Sequence, residues 1–236
     1  MNHRTIFRAR GMRLAVITIV LAGGLAATAH AAPLGVPAAT TGAGKTALGA
    51  EVNVLVDRDL TGGGEAEGSQ IFAKGTLGID ERLDLDFRLG FGDFGVDPGS
   101  TFDSDIGPSF GVGMRVTWAT VPSANLKIGS VFQTTHTRTE NDAFGRLGWT
   151  EHDAALGVSL DMAGARDPKR RQTEFGLVPY GGFAWSGLDI DGGAAEDNAF
   201  GLFAGLNAKA QGNVTFGVEL RLVDQTAISV SAGTTF

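Results

Sequence analysis

The stretch Val214–Phe236, VTFGVELRLVDQTAISVSAGTTF, decides the fold because it contains two runs that alternate apolar with polar or small residues. The first run extends from Val214 to Leu222, and the second begins at Thr226 and ends on the aromatic residue Phe236. Successive side chains of a β-strand point to opposite faces, so each run predicts a strand with one apolar face. A final strand of this kind is expected where the apolar face meets lipid and the strand pairs with the first one, because a closed barrel has no free edge.

The end of the second run resembles the C-terminal strand of outer-membrane β-barrel proteins of double-membraned bacteria. It has a terminal aromatic residue preceded by residues at alternate positions of one face: Phe236, Thr234, Ala232, Val230 and Ile228. The resemblance implies a small barrel of the OmpA or OmpX type, located in the cell outer membrane and surrounded by its lipid. It also implies that these five residues form the signal that the barrel-assembly machinery reads.

Residues 1–31 are typical of a secretory signal peptide. Arginines precede an apolar run from Leu14 to about Ala27, and Ala29-His30-Ala31 forms a cleavage motif of small residues. The apolar run is shorter than the roughly 20 residues that a membrane-spanning helix needs. We therefore expect cleavage after Ala31, a flexible N-terminal lead-in over 32–46 and an outer-membrane barrel over 47–236.

Composition excludes several classes of protein. The net charge is −7 before the arginine-bearing signal is removed, so a nucleic-acid partner is not expected. The chain has no cysteine, so disulfides do not stabilise it. After the signal no apolar stretch is long enough for a spanning helix, so a membrane-embedded mature chain must cross as strands. We expect a monomer without cofactor or metal.

The alternation of the last hairpin recurs along the mature chain. It is clearest at Leu83–Phe91, where leucine or phenylalanine alternates with Asp84, Asp86, Arg88 and Gly90. We count ten such runs, an even number, as in single-chain bacterial barrels. The sequence predicts an all-β fold, an antiparallel up-and-down transmembrane barrel of ten strands, with eight strands as the alternative.

The charged residues of these runs lie on the face opposite the apolar one. A soluble β-sandwich or lipocalin-like barrel would turn this face to water, whereas a transmembrane barrel shuts it inside, where acids and bases pair across a narrow lumen. We predict the second arrangement, with lumen charges at Glu51, Lys74, Asp84, Asp86, Arg88, Arg115, Lys127, Glu151, Asp153, Asp161, Glu174, Lys209, Glu219 and Arg221.

The breaks between runs alternate in length and charge. Those at 57–69, 93–106, 136–146 and 187–197 are long and mostly acidic, which is typical of extracellular loops, so both termini would lie on the periplasmic side. Trp118 would then lie at the inner membrane interface and Trp185 at the outer one. Trp149 has the parity of the lumen and not of an aromatic girdle, which weakens the register predicted for its strand.

For function we predict a non-enzymatic envelope protein with a largely side-chain-filled lumen and acidic outer loops; the alternatives are a narrow porin-like channel for small solutes and a hydrolase at the outer rim. A rim hydrolase would use His136 with Asp142, because a general base needs an orienting carboxylate. The acidic loops are interpreted as solvated, with calcium binding as the alternative at Asp93, Asp97, Asp103, Asp105, Asp189, Asp191, Glu196 and Asp197.

Overall fold

The computed structural model describes residues 33–60, 64–97, 102–103, 105–141, 145–163, 175–191, 200–210, 213–222 and 225–236. The predicted signal peptide, Glu174, Asp142, Glu196 and Asp197 lie outside these ranges. The described residues form ten long strands: β1 (Thr46–Leu60), β2 (Gly64–Gly78), β3 (Leu83–Gly92), β4 (Gly107–Val121), β5 (Leu126–Asn141), β6 (Gly145–Leu160), β7 (Gly176–Ile190), β8 (Phe200–Ala210), β9 (Val214–Leu222) and β10 (Gln225–Thr235).

The ten strands close into a barrel. Each strand pairs antiparallel with its neighbours in the chain, and β1 pairs with β10 as well as with β2, so that Val52 lies beside both Val230 and Ile71. Three short strand segments add to the pairing beyond the long strands: Gly95–Asp97 pairs with β2, Phe102–Asp103 pairs with Gly95–Asp97, and Met162–Ala163 pairs with β7. No helix among the described residues is long and apolar enough to span a bilayer. The predicted antiparallel barrel of ten strands is confirmed.

The two faces of the barrel wall have opposite chemistry. On β3, Leu89 is 70% exposed on the outside, whereas Arg88 and Asp86 are each 1% exposed on the inside. The same arrangement holds around the ring, since outward-facing Phe183 is 71% exposed. A soluble barrel would bury the leucines and expose the charges, so the apolar outer wall of this barrel is the surface that contacts lipid.

Both termini of the barrel lie at one end. The main chains of Thr46 and Phe236 are hydrogen-bonded to each other, and Gly78, which precedes the short turn at Asp80–Arg82, is hydrogen-bonded to Lys45. Short turns face the periplasm in bacterial barrels, so this is the periplasmic end.

The strands continue further toward the outer end than predicted. The predicted loop 57–69 is mostly strand, because β1 extends to Leu60 and β2 begins at Gly64, and the loop 136–146 is likewise shortened by β5 and β6. A tilted strand crosses the hydrocarbon with roughly 9–11 residues, so these strands of 15 or 16 residues project beyond it. Beyond the hydrocarbon the outward face meets water and the apolar alternation ends, although backbone pairing continues; this is why the sequence pattern predicted loops.

The N-terminal residues differ most from their prediction. Residues 33–41, predicted as part of a flexible lead-in, lie inside the barrel, and Leu34 and Ala38 are fully buried. We call Pro33–Thr41 the lumen segment. Leu34, Val36 and Ala38 belong to one buried apolar cluster, although Gly35 has a φ angle of 75° and the chain bends at Pro37 and Ala38. A segment this short and irregular has no periodic pattern in the sequence.

The tryptophans follow the strand register. Trp118 and Trp185 are exposed on the outer wall, and the Trp118 indole donates a hydrogen bond to the Ser130 hydroxyl at 3.0 Å. Trp149 is 3% exposed and faces the lumen, as its parity requires. Its position therefore supports the register of β6 instead of contradicting it, because the outer end of the lumen is apolar.

Candidate functional site: the barrel lumen

The first ionic cluster is formed by inward residues of β1 to β4. Lys74 and Arg88 bind the two oxygens of Glu51 at 2.7 and 2.8 Å. Arg115 binds Asp86 at 2.7 Å, and Lys74 lies 3.8 Å from the same carboxylate. Inward residues of neighbouring strands lie side by side, as Lys74 and Arg88 do in the β2–β3 register. Both cations can therefore bind the same carboxylate, that of Glu51 on β1.

The second ionic cluster crosses the lumen from β1 to β6 and β9. Arg58 donates hydrogen bonds to Glu151 at 3.0 Å and to the Ser186 hydroxyl at 2.9 Å. Arg221 contacts Asp153 at 3.2 Å and Glu151 at 4.0 Å. Taking such charges out of water is costly, and close opposite charges with hydrogen bonds offset that cost.

Arg58 is a lumen residue that the sequence reasoning missed. It lies in the predicted loop 57–69, and its parity is that of the outward residues Val52, Val54 and Val56. A register shift between Leu55 and Asp57 reverses the parity and turns Arg58 inward. The signal in the sequence was Asp57-Arg58-Asp59, where the apolar alternation breaks.

The structure places most of the predicted lumen charges inside the barrel. The buried or nearly buried ones are Glu51, Lys74, Asp84, Asp86, Arg88, Arg115, Glu151, Asp153, Glu219 and Arg221. Lys127 is half-buried and donates to the Ala39 carbonyl oxygen at 2.8 Å. Asp161 and Lys209 differ from the prediction: they pair at 2.9 Å, but their side chains are each 46% exposed. Asp161 directly follows β6 and Lys209 lies near the periplasmic end of β8.

The outer end of the lumen is closed by apolar side chains, which we call the outer apolar cluster. Its members are Leu60, Ala66, Phe94, Trp149, Leu188 and Ile190. The rings of Phe94 and Trp149 pack with their centroids 4.8 Å apart. The cluster excludes water from the lumen next to the second ionic cluster.

The lumen segment fills the periplasmic half. Glu219 accepts the main-chain N–H groups of Leu34 and Gly35 at 2.9 and 2.7 Å. Asp84 accepts those of Thr40 and Thr41 at 2.8 and 3.1 Å. The two carboxylates therefore accept hydrogen bonds from four main-chain N–H groups of the segment that have no strand partner, as a carboxylate does when it caps a helix.

One side of this half of the lumen is apolar. Val131, Val178, Tyr180 and Phe203 line it, and the residues Leu34, Val36 and Ala38 of the lumen segment pack against them. The Tyr180 hydroxyl donates a hydrogen bond to Glu219 at 3.1 Å. A cavity of about 60 Å³ remains between Glu51, Lys74, Tyr180, Glu219 and Pro33, which is space for a few water molecules.

The histidines of the predicted rim hydrolase face away from the lumen. His136 and His152 lie on the outer wall of β5 and β6, where their Nδ1 atoms are each 3.0 Å from the hydroxyls of Thr150 and Thr134, respectively. The His136 ring also packs against Phe110, with centroids 5.2 Å apart. The proposed partner Asp142 lies outside the described residues.

Two of the acids considered for calcium binding accept hydrogen bonds from the protein itself. Asp93 accepts hydrogen bonds from Ser69, and Asp191 accepts the Gly148 N–H at 3.0 Å. Within the described ranges no three acids or histidines come together as a metal site.

The residues of the predicted assembly signal lie on the outer wall of β10 or directly after it. Ile228 and Val230 are exposed there, and Phe236 follows the last strand residue, Thr235. Val230 pairs with Val52 of β1, so the terminal strand is also the one that closes the ring.

Comparison with known proteins gives similarity at the level of structure. No protein-family model matches the sequence, and no curated protein matches it. The chain is similar to the β-domain of the Bordetella autotransporter BrkA (14% identity, 84% of this chain and 100% of that chain, TM-score 0.49). It is also similar to the translocator domain of the autotransporter NalP from Neisseria meningitidis (13%, 98% and 96%, TM-score 0.47). A further similar structure is an outer membrane channel of Pseudomonas putida (12%, 88% and 100%, TM-score 0.42). These similarities concern the fold alone.

The location of the protein follows from its own wall. The outward faces of the strands are apolar, and the charges are paired inside a closed ring with no free edge. A closed barrel of this kind is how a β-protein spans the bacterial outer membrane. The chain is an integral outer-membrane β-barrel protein.

Proposed function

We propose that this protein is a sealed, non-enzymatic barrel that stabilises the cell envelope and presents an acidic outer end to its surroundings. The observation that carries the proposal is the filling of the lumen at successive depths. From the periplasmic end outward these fillings are the lumen segment with the first ionic cluster beside it, then the second ionic cluster, and finally the outer apolar cluster. The cavity of about 60 Å³ beside Pro33 is too small to form a water-filled path.

Electrostatics supports the absence of conduction. A hydrated ion that crossed the lumen would have to displace Arg58 from Glu151 and Arg115 from Asp86, pairs with side chains that are almost fully buried. Breaking such a pair costs several kcal/mol, on the order of 3–5 kcal/mol for a removed partner. The ion would then also meet the apolar rings of Phe94 and Trp149. We therefore disfavour the narrow porin-like channel.

In this proposal the acidic residues at the outer end of the barrel interact with the surroundings of the cell. Asp57, Asp59, Glu65 and Glu67 are exposed at the outer ends of β1 and β2. Acids at this position repel anionic surfaces and attract cationic ones. We therefore expect the outer end to attract cationic groups and to repel anionic ones.

Planar-bilayer recording tests the sealed barrel. Purified full-length protein, shown to be folded by heat-modifiable gel migration, is added to a bilayer in parallel with an open porin. We expect no stepwise conductance from this protein under conditions in which the porin gives steps. Reproducible steps of one size would contradict the proposal and restore the channel.

Assembly is proposed to depend on the terminal strand. We expect the assembly machinery to bind Ile228, Val230, Ala232, Thr234 and Phe236, and we expect the product to be a monomer in outer-membrane lipid. Deleting Phe236 should lower the amount of folded protein in the outer membrane, and replacing exposed Glu81 by alanine should not. Equal amounts for both variants would contradict this part.

A further inference from the structure

A groove lies on the outer wall over β5, β6 and β7. Ala154 forms its floor, because this small side chain lies between its register partners, Phe132 on β5 and Trp185 on β7. Leu156 and Phe183 line the groove further toward the periplasmic end, and its volume is about 390 Å³. Since the outer wall contacts lipid, the group that fills this groove is an acyl chain.

Polar side chains begin directly above the groove. Toward the outer end of β6, the next residues on the same face are His152 and Thr150. Each is hydrogen-bonded at 3.0 Å to a residue of β5: His152 to Thr134, and Thr150 to His136. A threonine hydroxyl that donates to Nδ1 leaves Nε2 of the histidine ring as a donor. A lipid whose chain lies in the groove therefore has its headgroup at these residues.

The headgroup region carries charges of opposite sign on its two sides. Arg138 is exposed on the outward face of β5, whereas Asp189 on β7 and Asp191 directly after β7 are exposed on the other side of β6. Further out, Arg146 and Glu140 pair with each other at 2.6 Å and add no net charge. The β5 side thus suits a phosphate, and the β7 side suits an ammonium group.

The two sides approach each other over Gly148 of β6. A β-carbon at this position would lie 3.4 Å from His136 Cε1 and 2.8 Å from Asp191 Oδ2. Asp191 accepts the Gly148 N–H at 3.0 Å, and a carboxylate can accept further hydrogen bonds. The imidazole and the carboxylate are therefore close enough to contact a phosphate and an amine of one headgroup.

We propose that this part of the outer wall is a binding site for one lipid with a phosphoethanolamine headgroup. One acyl chain lies in the groove over Ala154. The phosphate accepts hydrogen bonds from Arg138 and His136, and the ammonium group donates to Asp189 and Asp191. This inference goes beyond the proposed envelope role and does not depend on whether the lumen is sealed.

Lipid binding to the folded full chain tests the proposal. Phosphatidylethanolamine, phosphatidylglycerol and phosphatidylcholine with identical acyl chains are added to the protein in mild detergent, and native mass spectrometry counts the bound lipids. Phosphatidylglycerol has no amine, and the ammonium group of phosphatidylcholine has no N–H. We expect one bound phosphatidylethanolamine per barrel and at least about tenfold weaker binding of the other two lipids, because hydrogen bonds to charged groups are lost. Equal binding of the three lipids would overturn the proposal.

A substitution in the groove tests the position of the acyl chain. Ala154→Leu fills the floor, so phosphatidylethanolamine should bind at least about tenfold more weakly, because the chain loses its packing contacts. Ala204→Leu is the matched control, since Ala204 is exposed on the outer wall of β8 and does not line the groove. Equal binding to the two folded variants would overturn the proposal.

Substitutions at the headgroup region separate its two sides. Arg138→Gln should weaken the binding of both phosphatidylethanolamine and phosphatidylglycerol, because both carry a phosphate. Asp189→Asn with Asp191→Asn should weaken phosphatidylethanolamine alone, because only its amine needs the carboxylates. Arg82→Gln in the exposed periplasmic turn is the control and should change neither. An undiminished preference for phosphatidylethanolamine in the folded double variant would overturn the proposal.

A second measurement covers the case in which substitutions at the site unfold the barrel. In a folded variant that keeps Trp185 as its one tryptophan, brominated phosphatidylethanolamine should quench the fluorescence at a lower mole fraction in vesicles than brominated phosphatidylcholine does. Identical quenching curves would overturn the proposal. Conductance of the wild-type chain, measured separately, bears only on the sealed-barrel function, so the two failures are distinguishable.

Discussion

Arg58 contacts Glu151 across the lumen at 3.0 Å, and the contact exists because β1 shifts its register between Leu55 and Asp57. Both side chains are almost completely buried. Replacing Arg58 by alanine should lower the free energy of unfolding by about 3–5 kcal/mol, since Glu151 loses a buried partner. Urea unfolding in lipid vesicles measures the change.

The matched control for this pair is Arg146→Ala. Arg146 contacts Glu140 at 2.6 Å, but both side chains are mostly exposed. Exposed pairs contribute little to stability, so this variant should unfold like the wild type. Equal effects of the two substitutions would contradict the assignment of Arg58 to the lumen.

A charged side chain on the outer wall should destabilise the folded barrel. Phe87 is the middle one of the five outward residues of β3 from Leu83 to Phe91. Phe87→Arg should destabilise the folded barrel by about 2–4 kcal/mol, because the guanidinium would lie near the bilayer midplane. Urea titration in vesicles checks this, with Glu81→Arg in the exposed periplasmic turn as the control that should have no effect. A tolerated arginine at position 87 would argue that this face is not in lipid.

Gly129 makes room for the lumen segment. A β-carbon at this position would collide with the carbonyl oxygens of Pro37 and Val116. Gly129→Ala should therefore loosen the segment and speed hydrogen exchange at Leu34 and Gly35, which mass spectrometry reads.

Gly176→Ala is the matched control for Gly129→Ala. A β-carbon at Gly176 would make only ordinary contacts with Lys209, 3.8 Å away at the nearest. Hydrogen exchange of residues 33–41 in Gly176→Ala should therefore be the same as in the wild type. Unchanged exchange in Gly129→Ala itself would mean that the segment does not need the space at Gly129.

The three tryptophans should respond differently to lipid. Trp118 and Trp185 are exposed on the outer wall, whereas Trp149 packs against Phe94 in the lumen. In variants that keep one tryptophan each, brominated lipid should quench Trp118 and Trp185 and leave Trp149 nearly unaffected. Strong quenching of Trp149 would contradict the register of β6.

The mature chain should begin at Ala32. Pro33 lies in the lumen with its carbonyl oxygen bound by Arg88, beside a cavity of only about 60 Å³. Removal after Ala31 is expected because a short apolar run is followed by the small-residue cleavage motif Ala29-His30-Ala31. Intact mass spectrometry of protein from outer membranes decides this, and a start upstream of Ala32 would contradict it.

Much of the fold could be predicted from the sequence because its cause is local. Alternation at Leu83–Phe91 and at Val214–Leu222 assigns one face of each strand to lipid and the other to the lumen, without any knowledge of neighbours. It follows that Asp86, Arg88 and Glu219 lie inside, which the structure shows. The terminal Phe236 and the even number of predicted strands further predicted that the last strand pairs with the first and closes the barrel.

The sequence by itself thus determined the strands, their lipid-facing sides and the type of barrel, since each depends on residues two positions apart. Only the tertiary structure decided which charges meet, how Arg58 turns inward, and that Pro33–Thr41 fills the lumen. These depend on contacts between distant parts of the chain, such as Leu34 with Glu219, 185 residues away. A period of two fixes where a side chain points, but only the closed ring brings opposite walls close enough for side chains to bind one another.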